Sequence, residues 1–342
     1  MTTFADGLFQ YGGMPVSSGT LPFTGKTFWV DPVNGSDGNN GLTPVRAFQT
    51  LYAAHSAATA GNNDVVYLIG NGASSGSARL SLANAQVWDS TATAGTLVWS
   101  KNATHLIGVC SPTGVAQRAR MAPPTGTYTV TTFGSANFVT VSASGCYFSN
   151  FSVFNGFSTG GAAQIAWTNT GSRNAYYNVD FGGMGDAGSA QDAGSRSLKV
   201  GLAGSGENTF VRCTIGLDTI TRTVANASLE LAGGTPRNRF IECMFPVLTS
   251  SATTLGIIGT GNNCVDRWNS FERCVFVNNI KSGSTGMTAL VSFTTAAPGG
   301  LLVFKDCDTI GVTKIGDTNG LAFSYVSNVG GAATGGLDLN PS

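Results

Sequence analysis

The residues best placed to do chemistry are a few scattered carboxylates, two histidines and seven cysteines. Asp180, Asp186 and Asp192, with Glu207, form the densest acidic group, in a Gly-rich stretch between two apolar segments. A glycosidase needs two carboxyl groups about 5–9.5 Å apart, and most of the 18 acidic residues lie at repeat or turn positions instead. Asp31, Asn34, Ser36 and Asp37 offer oxygens to calcium, but without the ligand order of an EF-hand. Their spacing predicts an Asx turn. Trp29, Trp88, Trp99, Trp167 and Trp268 are too dispersed to form a single sugar platform, so core or interface positions are expected for most. The cysteines form no CxxC pair and the histidines, His55 and His105, lie fifty residues apart, which gives a zinc site little support. No nucleophile elbow, phosphate loop or HExxH motif is present. The expectation is a chain with no catalytic residues, no metal and no cofactor.

The composition narrows the partners. Eighteen basic residues balance 18 acidic ones in 342, and 47 are Gly. Binding to nucleic acid or an anionic membrane needs a concentrated basic face, so neither is expected. An apolar content of 42% is enough for a sizeable core. No run of about 18 apolar residues predicts a membrane span, and no apolar stretch ahead of Lys26 predicts a secretory signal.

A repeat must position whatever chemistry there is. Phe210-Val-Arg-Cys213-Thr-Ile215, Phe240-Ile-Glu-Cys243-Met-Phe245, Phe271-Glu-Arg-Cys274-Val-Phe276 and Phe304-Lys-Asp-Cys307 share one frame, with Cys-to-Cys steps of 30, 31 and 33 residues. Phe148 to Val153 and Tyr176 to Phe181 are degenerate copies. Each is accompanied by a second apolar run, such as Leu198 to Leu202 or Leu229 to Leu231. Units of about 31 residues with several short strands and no helical period predict stacked coils of a β-solenoid. Cys213 and Ile215 would face inward and Arg212 and Thr214 outward, with a bulge or bend allowing Phe210 to join the core. The residues before the cysteines, Arg212, Glu242, Arg273 and Asp306, alternate in sign and predict an external charge ladder worth under about 1 kcal/mol per pair.

Near the N-terminus, Phe28 to Val30 and Val65 to Ile69 read as strands. Pro44 to Ala58 has helical spacing, with Pro44 at its entry. Val30-Asp31, Asn34-Gly35-Ser36-Asp37, Gly41, Pro44, Phe48, Thr50-Leu51 and Ala54 together resemble the opening of the pectate-lyase-like right-handed β-helix superfamily. The resemblance covers roughly residues 28–335 and implies an all-β, right-handed parallel β-helix whose open end is closed by a short capping helix. It also implies what an enzyme of that group would show: an acidic calcium cluster with a nearby Arg or Lys as base.

The expected organisation is an arm over 1–27, the cap and first coil over 28–70, the β-helix over 71–335 and a tail over 336–342. Within the arm, Phe4, Leu8, Phe9 and Tyr11 are candidate docking residues. The opening block, preceded by this apolar arm, is similar to head-associated β-helix proteins of tailed bacteriophages. That likeness implies a non-enzymatic capsid decoration or cement protein, a homotrimer bound to the major capsid protein on the virion. The alternative is a tailspike or receptor-binding protein, or a polysaccharide depolymerase.

Overall fold

The computed structural model describes residues 24–70, 80–81, 97–114, 119–122, 137–155, 163–201, 204–279, 283–295, 298–316 and 323–325. Its strands form three sheets of ten, nine and eight strands, and every pairing between them is parallel. Successive strands of one sheet come from successive coils: Ala175–Tyr177 pairs with Thr209–Val211, which pairs with Arg239–Ile241. This is the expected right-handed parallel β-helix.

The corners explain the sequence frame. Asn150, Asn178, Arg212, Glu242, Arg273 and Asp306, which join the ten-stranded to the nine-stranded sheet, all have φ between 50° and 57°. A left-handed residue costs a non-glycine side chain about 1–2 kcal/mol, yet it rotates the chain so that Phe240 and Cys243, three apart, both point inward. Arg212 is therefore a corner residue between the strands Thr209–Val211 and Thr214–Ile215, not an outward residue within one strand. The charge ladder holds over two steps: Arg212 Nε donates to Glu242 (2.8 Å) and Arg273 Nη2 to Glu242 (3.2 Å). It then shifts column, because Arg273 and Lys305 both bond Glu272 and Asp306 takes no part.

Inside, the rings of Phe148, Tyr176, Phe210, Phe240, Phe271 and Phe304 stack with centroids 4.6–5.0 Å apart. Beside them Cys213, Cys243 and Cys274 are buried, and each thiol donates to a carbonyl of the preceding coil, Cys243 Sγ to Phe210 O at 3.5 Å for example. Cys307, at the thinner end, is half-buried. Burial pushes the Cys243 thiol well above its usual range, and the reactive form is the thiolate. A maleimide added to native protein is expected to modify Cys110 first, Cys307 more slowly because its neighbour Cys274 and its burial push its thiol up, and to leave Cys213, Cys243 and Cys274 unmodified until denaturant is added. Rapid native labelling of Cys243 would refute its core position.

A third column was not foreseen. Asn174, Asn208, Asn238 and Asn269 are buried at the next corner, and each Oδ1 accepts the backbone N–H of the equivalent residue one coil earlier: Cys146, Asn174, Asn208 and Asn238, at 2.8–3.0 Å. The left-handed residues Arg173, Glu207 and Arg237 turn the chain into these positions.

The N-terminal end is closed by helix α1 (Leu51–Ala57), whose Leu51 and Ala54 are fully buried. Thr50 Oγ1 accepts from Ala53 N–H as its N-cap. The helix is shorter than the sequence period suggests. Pro44 opens a separate 3-10 turn (Pro44–Arg46), and Asp37 holds the intervening chain by accepting from Gln49 N–H, Thr50 N–H and Thr50 Oγ1.

Candidate functional site

The acidic residues singled out in the sequence each take their own partner in the fold. Asp180 is buried and accepts from Ser152 Oγ (2.8 Å). Asp186 caps the single helical turn α2 (Ala187–Ala190) through Ser189 N–H, and Asp192 accepts from Gly194 N–H in the following turn. Glu207 lies on a corner between Arg173 and Arg237, at 2.7 and 2.6 Å. Asp31 closes the expected Asx turn with Val33 and Asn34 N–H. Among the described residues no group of three or more His, Cys, Asp or Glu could hold a metal ion. Trp99 and Trp167 are core residues, Trp29 stacks on Tyr67 at 4.7 Å, and Trp268 is 38% exposed. Trp88 and the arm residues Phe4, Leu8, Phe9 and Tyr11 lie outside the described residues.

Of the ionic groups among the described residues, one is largely buried, on the outer side of the eight-stranded sheet. Lys199 and Glu230 are register partners on the strands Arg196–Val200 and Ala227–Ala232, and with Leu198 and Leu229 in the core both point away from it. Arg196 Nε donates to Glu230 Oε2 (2.9 Å); Lys199 Nζ and Thr260 Oγ1 donate to Oε1 at 3.0 and 2.7 Å. Burial pushes the Glu230 carboxyl up, but Arg196, Thr260 and Lys199 outweigh it and hold it below the ordinary carboxylate range. Arg196 spends its remaining reach on the carbonyls of Ala193 and Ser195. Glu230 is therefore a fixed anion with both oxygens engaged, poorly suited to shuttling a proton. Lys199, whose side chain is 28% exposed, is the member that can meet a ligand in solution. Aligning the runs Leu198 to Leu202 and Leu229 to Leu231 as neighbouring coils would have placed Lys199 over Glu230. Arg196 was hidden because it precedes the run.

Large exposed apolar side chains lie mainly on the earlier and later coils, with Val98 and Val109 on the early strands and Met244 on a middle one. Val33, Leu42 and Val45 protrude from the loop behind the first strand; Trp268 and Leu301, register partners, and Ile310 lie on the last coils. Between residues 110 and 243 none of the described large hydrophobics is exposed.

No family model matches the chain, and no curated protein matches it in sequence. Solved structures do. The pectate lyase Pel9A aligns with a TM-score of 0.52 at 14% identity over 83% of this chain, which spans 63% of the lyase's length. A pectin methylesterase variant solved with a hexasaccharide gives 0.51 at 16% identity, covering 84% of this chain and 80% of that one. Another complex of a pectin methylesterase with a hexasaccharide gives 0.50 at 15%, with 87% of each chain covered. The likeness is one of fold: a right-handed parallel β-helix of the pectate-lyase type. It also overturns the expectation that this chain is not an enzyme, because the solved chains sharing its scaffold are enzymes. Scattered carboxylates in a sequence are no ground for excluding catalysis in a solenoid, where side chains about 31 residues apart become neighbours, as Lys199 and Glu230 do.

Proposed function

We propose that the chain is a structural protein of a tailed-bacteriophage particle, a capsid decoration protein that docks on the major capsid protein and on two further copies of itself. The observation that supports this reading is that six of the nine exposed large apolar side chains among the described residues form two groups, Val33, Leu42 and Val45 on the first coil and Trp268, Leu301 and Ile310 on the later ones. Such patches favour protein contacts, and a solenoid gripped at its ends bridges neighbouring subunits without bending. Light scattering is expected to give about three times 35.0 kDa at micromolar concentration, and the protein should co-sediment with shells of the capsid protein encoded beside it. A chain beginning at Lys26 should still form trimers but lose the shells. A monomer that leaves the shells in the supernatant would overturn the proposal.

A second reading, a receptor-binding or polysaccharide-acting tail protein, draws on Trp268, an exposed ring beside Leu301 that a sugar face could stack on. Release of oligosaccharides from host surface polysaccharide, lost on Trp268→Ala, would favour it.

A further inference from the structure

Arg222 is the most deeply buried cation among the described residues, and its surroundings do not neutralise it. It ends the strand Leu217–Arg222, is 1% exposed, and donates through Nη2 to Ser228 Oγ at 2.9 Å. Nε and Nη1 have no acceptor. The segment lies against helical turn α2, with Thr223 N–H donating to Ala190 O. Nearby, Asn226 Nδ2 donates to the carbonyls of Ala190 and Asp192, while its Oδ1 is buried without a donor. The charge that acts on Arg222 is another cation, Arg196, and it is repulsive. Arg196 is already matched to Glu230, which Lys199 shares, and is attracted to Asp192. Arg222 thus makes no ion pair among the described residues, and the carboxylates nearby are engaged elsewhere: Glu230 by Arg196 and Lys199, Asp186 by Ser189 N–H and Asp192 by Gly194 N–H.

An arginine cannot escape this by losing its proton. A buried, uncompensated ion is strongly destabilising, and unbonded buried N–H groups add to that cost. Water would satisfy the N–H groups but leave the charge. We infer that the corner beneath α2 binds one buried monovalent anion of chloride size, held by the Arg222 guanidinium. Nε and Nη1 are donors only, which suits an anion, and since they lie on different edges of the guanidinium the anion engages one of them. The site uses no residue of the exposed end patches, so it stands or fails independently of the capsid proposal.

The probes are chloride and bromide. Crystals of the full chain grown in sodium bromide should show an anomalous peak within hydrogen-bond distance of the Arg222 guanidinium. In solution, replacing gluconate by chloride at constant ionic strength should raise the unfolding temperature saturably, by about 2–4 °C. Arg222→Met should abolish that dependence. Should the variant fail to fold, the bromide map of the native protein decides alone. Density that refines as water with no anomalous signal, together with equal stability in gluconate and chloride, would overturn the inference.

Discussion

Replacing Phe240 by Ala is expected to lower the free energy of unfolding by about 3–5 kcal/mol, the usual cost of deleting a buried aromatic. Phe240 is fully buried, stacks on Phe210 and Phe271 with both centroids at 4.7 Å, and leans on Phe245 at 6.3 Å. The coils above and below are fixed by their own backbone pairing, so the cavity cannot collapse by moving one of them. Phe240→Leu should cost less, because most of the volume is kept. Equilibrium denaturation of both variants is the measurement. A loss below about 1 kcal/mol for the alanine variant would mean that the stack does not carry the core at this coil.

The second large effect is loss of stability in mild acid. His55 and His105 both have pKa values lowered to about 4, from 6.5, chiefly by burial; Lys101 adds to the effect at His55, and Asp64 opposes it at His105. His105 Nδ1 accepts from Tyr147 N–H at 3.0 Å, and His55 Nε2 accepts from Ser100 N–H at 3.3 Å, so each ring is needed neutral. Between pH 6.5 and 4 the unfolded chain binds protons at these positions and the folded chain does not. Their stabilisation is therefore complete above pH 6.5 and is lost as pH falls toward 4, by at most about 3 kcal/mol for each ring. Asp31, Glu230, Glu242 and Glu272, whose folded pKa values are lowered, contribute stability that disappears only at lower pH, around and below 4. A denaturation midpoint that stays flat from pH 7 to 5 would show that the two histidines are solvated.

Most of the coil geometry was legible because a solenoid repeats it. The Phe-x-x-Cys frame located the inner columns, and alternating signs located the Arg212–Glu242–Arg273 ladder. Two features escaped for one physical reason: periodicity reveals which residues recur, not the backbone angle at which they do so. Arg212 and Glu242 look like outward strand residues, and only their positive φ shows them to be corners. The asparagines recur two residues before the aromatic ring, as in Asn208-Thr-Phe210 and Asn238-Arg-Phe240, but asparagine is so common in turns that the recurrence reads as a loop. At the candidate site, Asp180, Asp186 and Asp192 lie close in sequence, but each is engaged by a different partner: Ser152, Ser189 and Gly194. Arg196, Lys199 and Glu230 meet because a coil's length brings them together.

The asparagine column also makes the two ends of the rod chemically unlike. In every step the accepting oxygen belongs to the later coil and the donating N–H to the earlier one. A solenoid interrupted after Asn208 would present an N–H still seeking an oxygen, and a piece beginning at Asn238 would present the oxygen. The molecule is thus polar in the sense in which a filament is polar, with a donor end and an acceptor end. Each completed coil is a template that accepts its successor in one register, and the direction of that templating is the direction in which the ribosome delivers the chain.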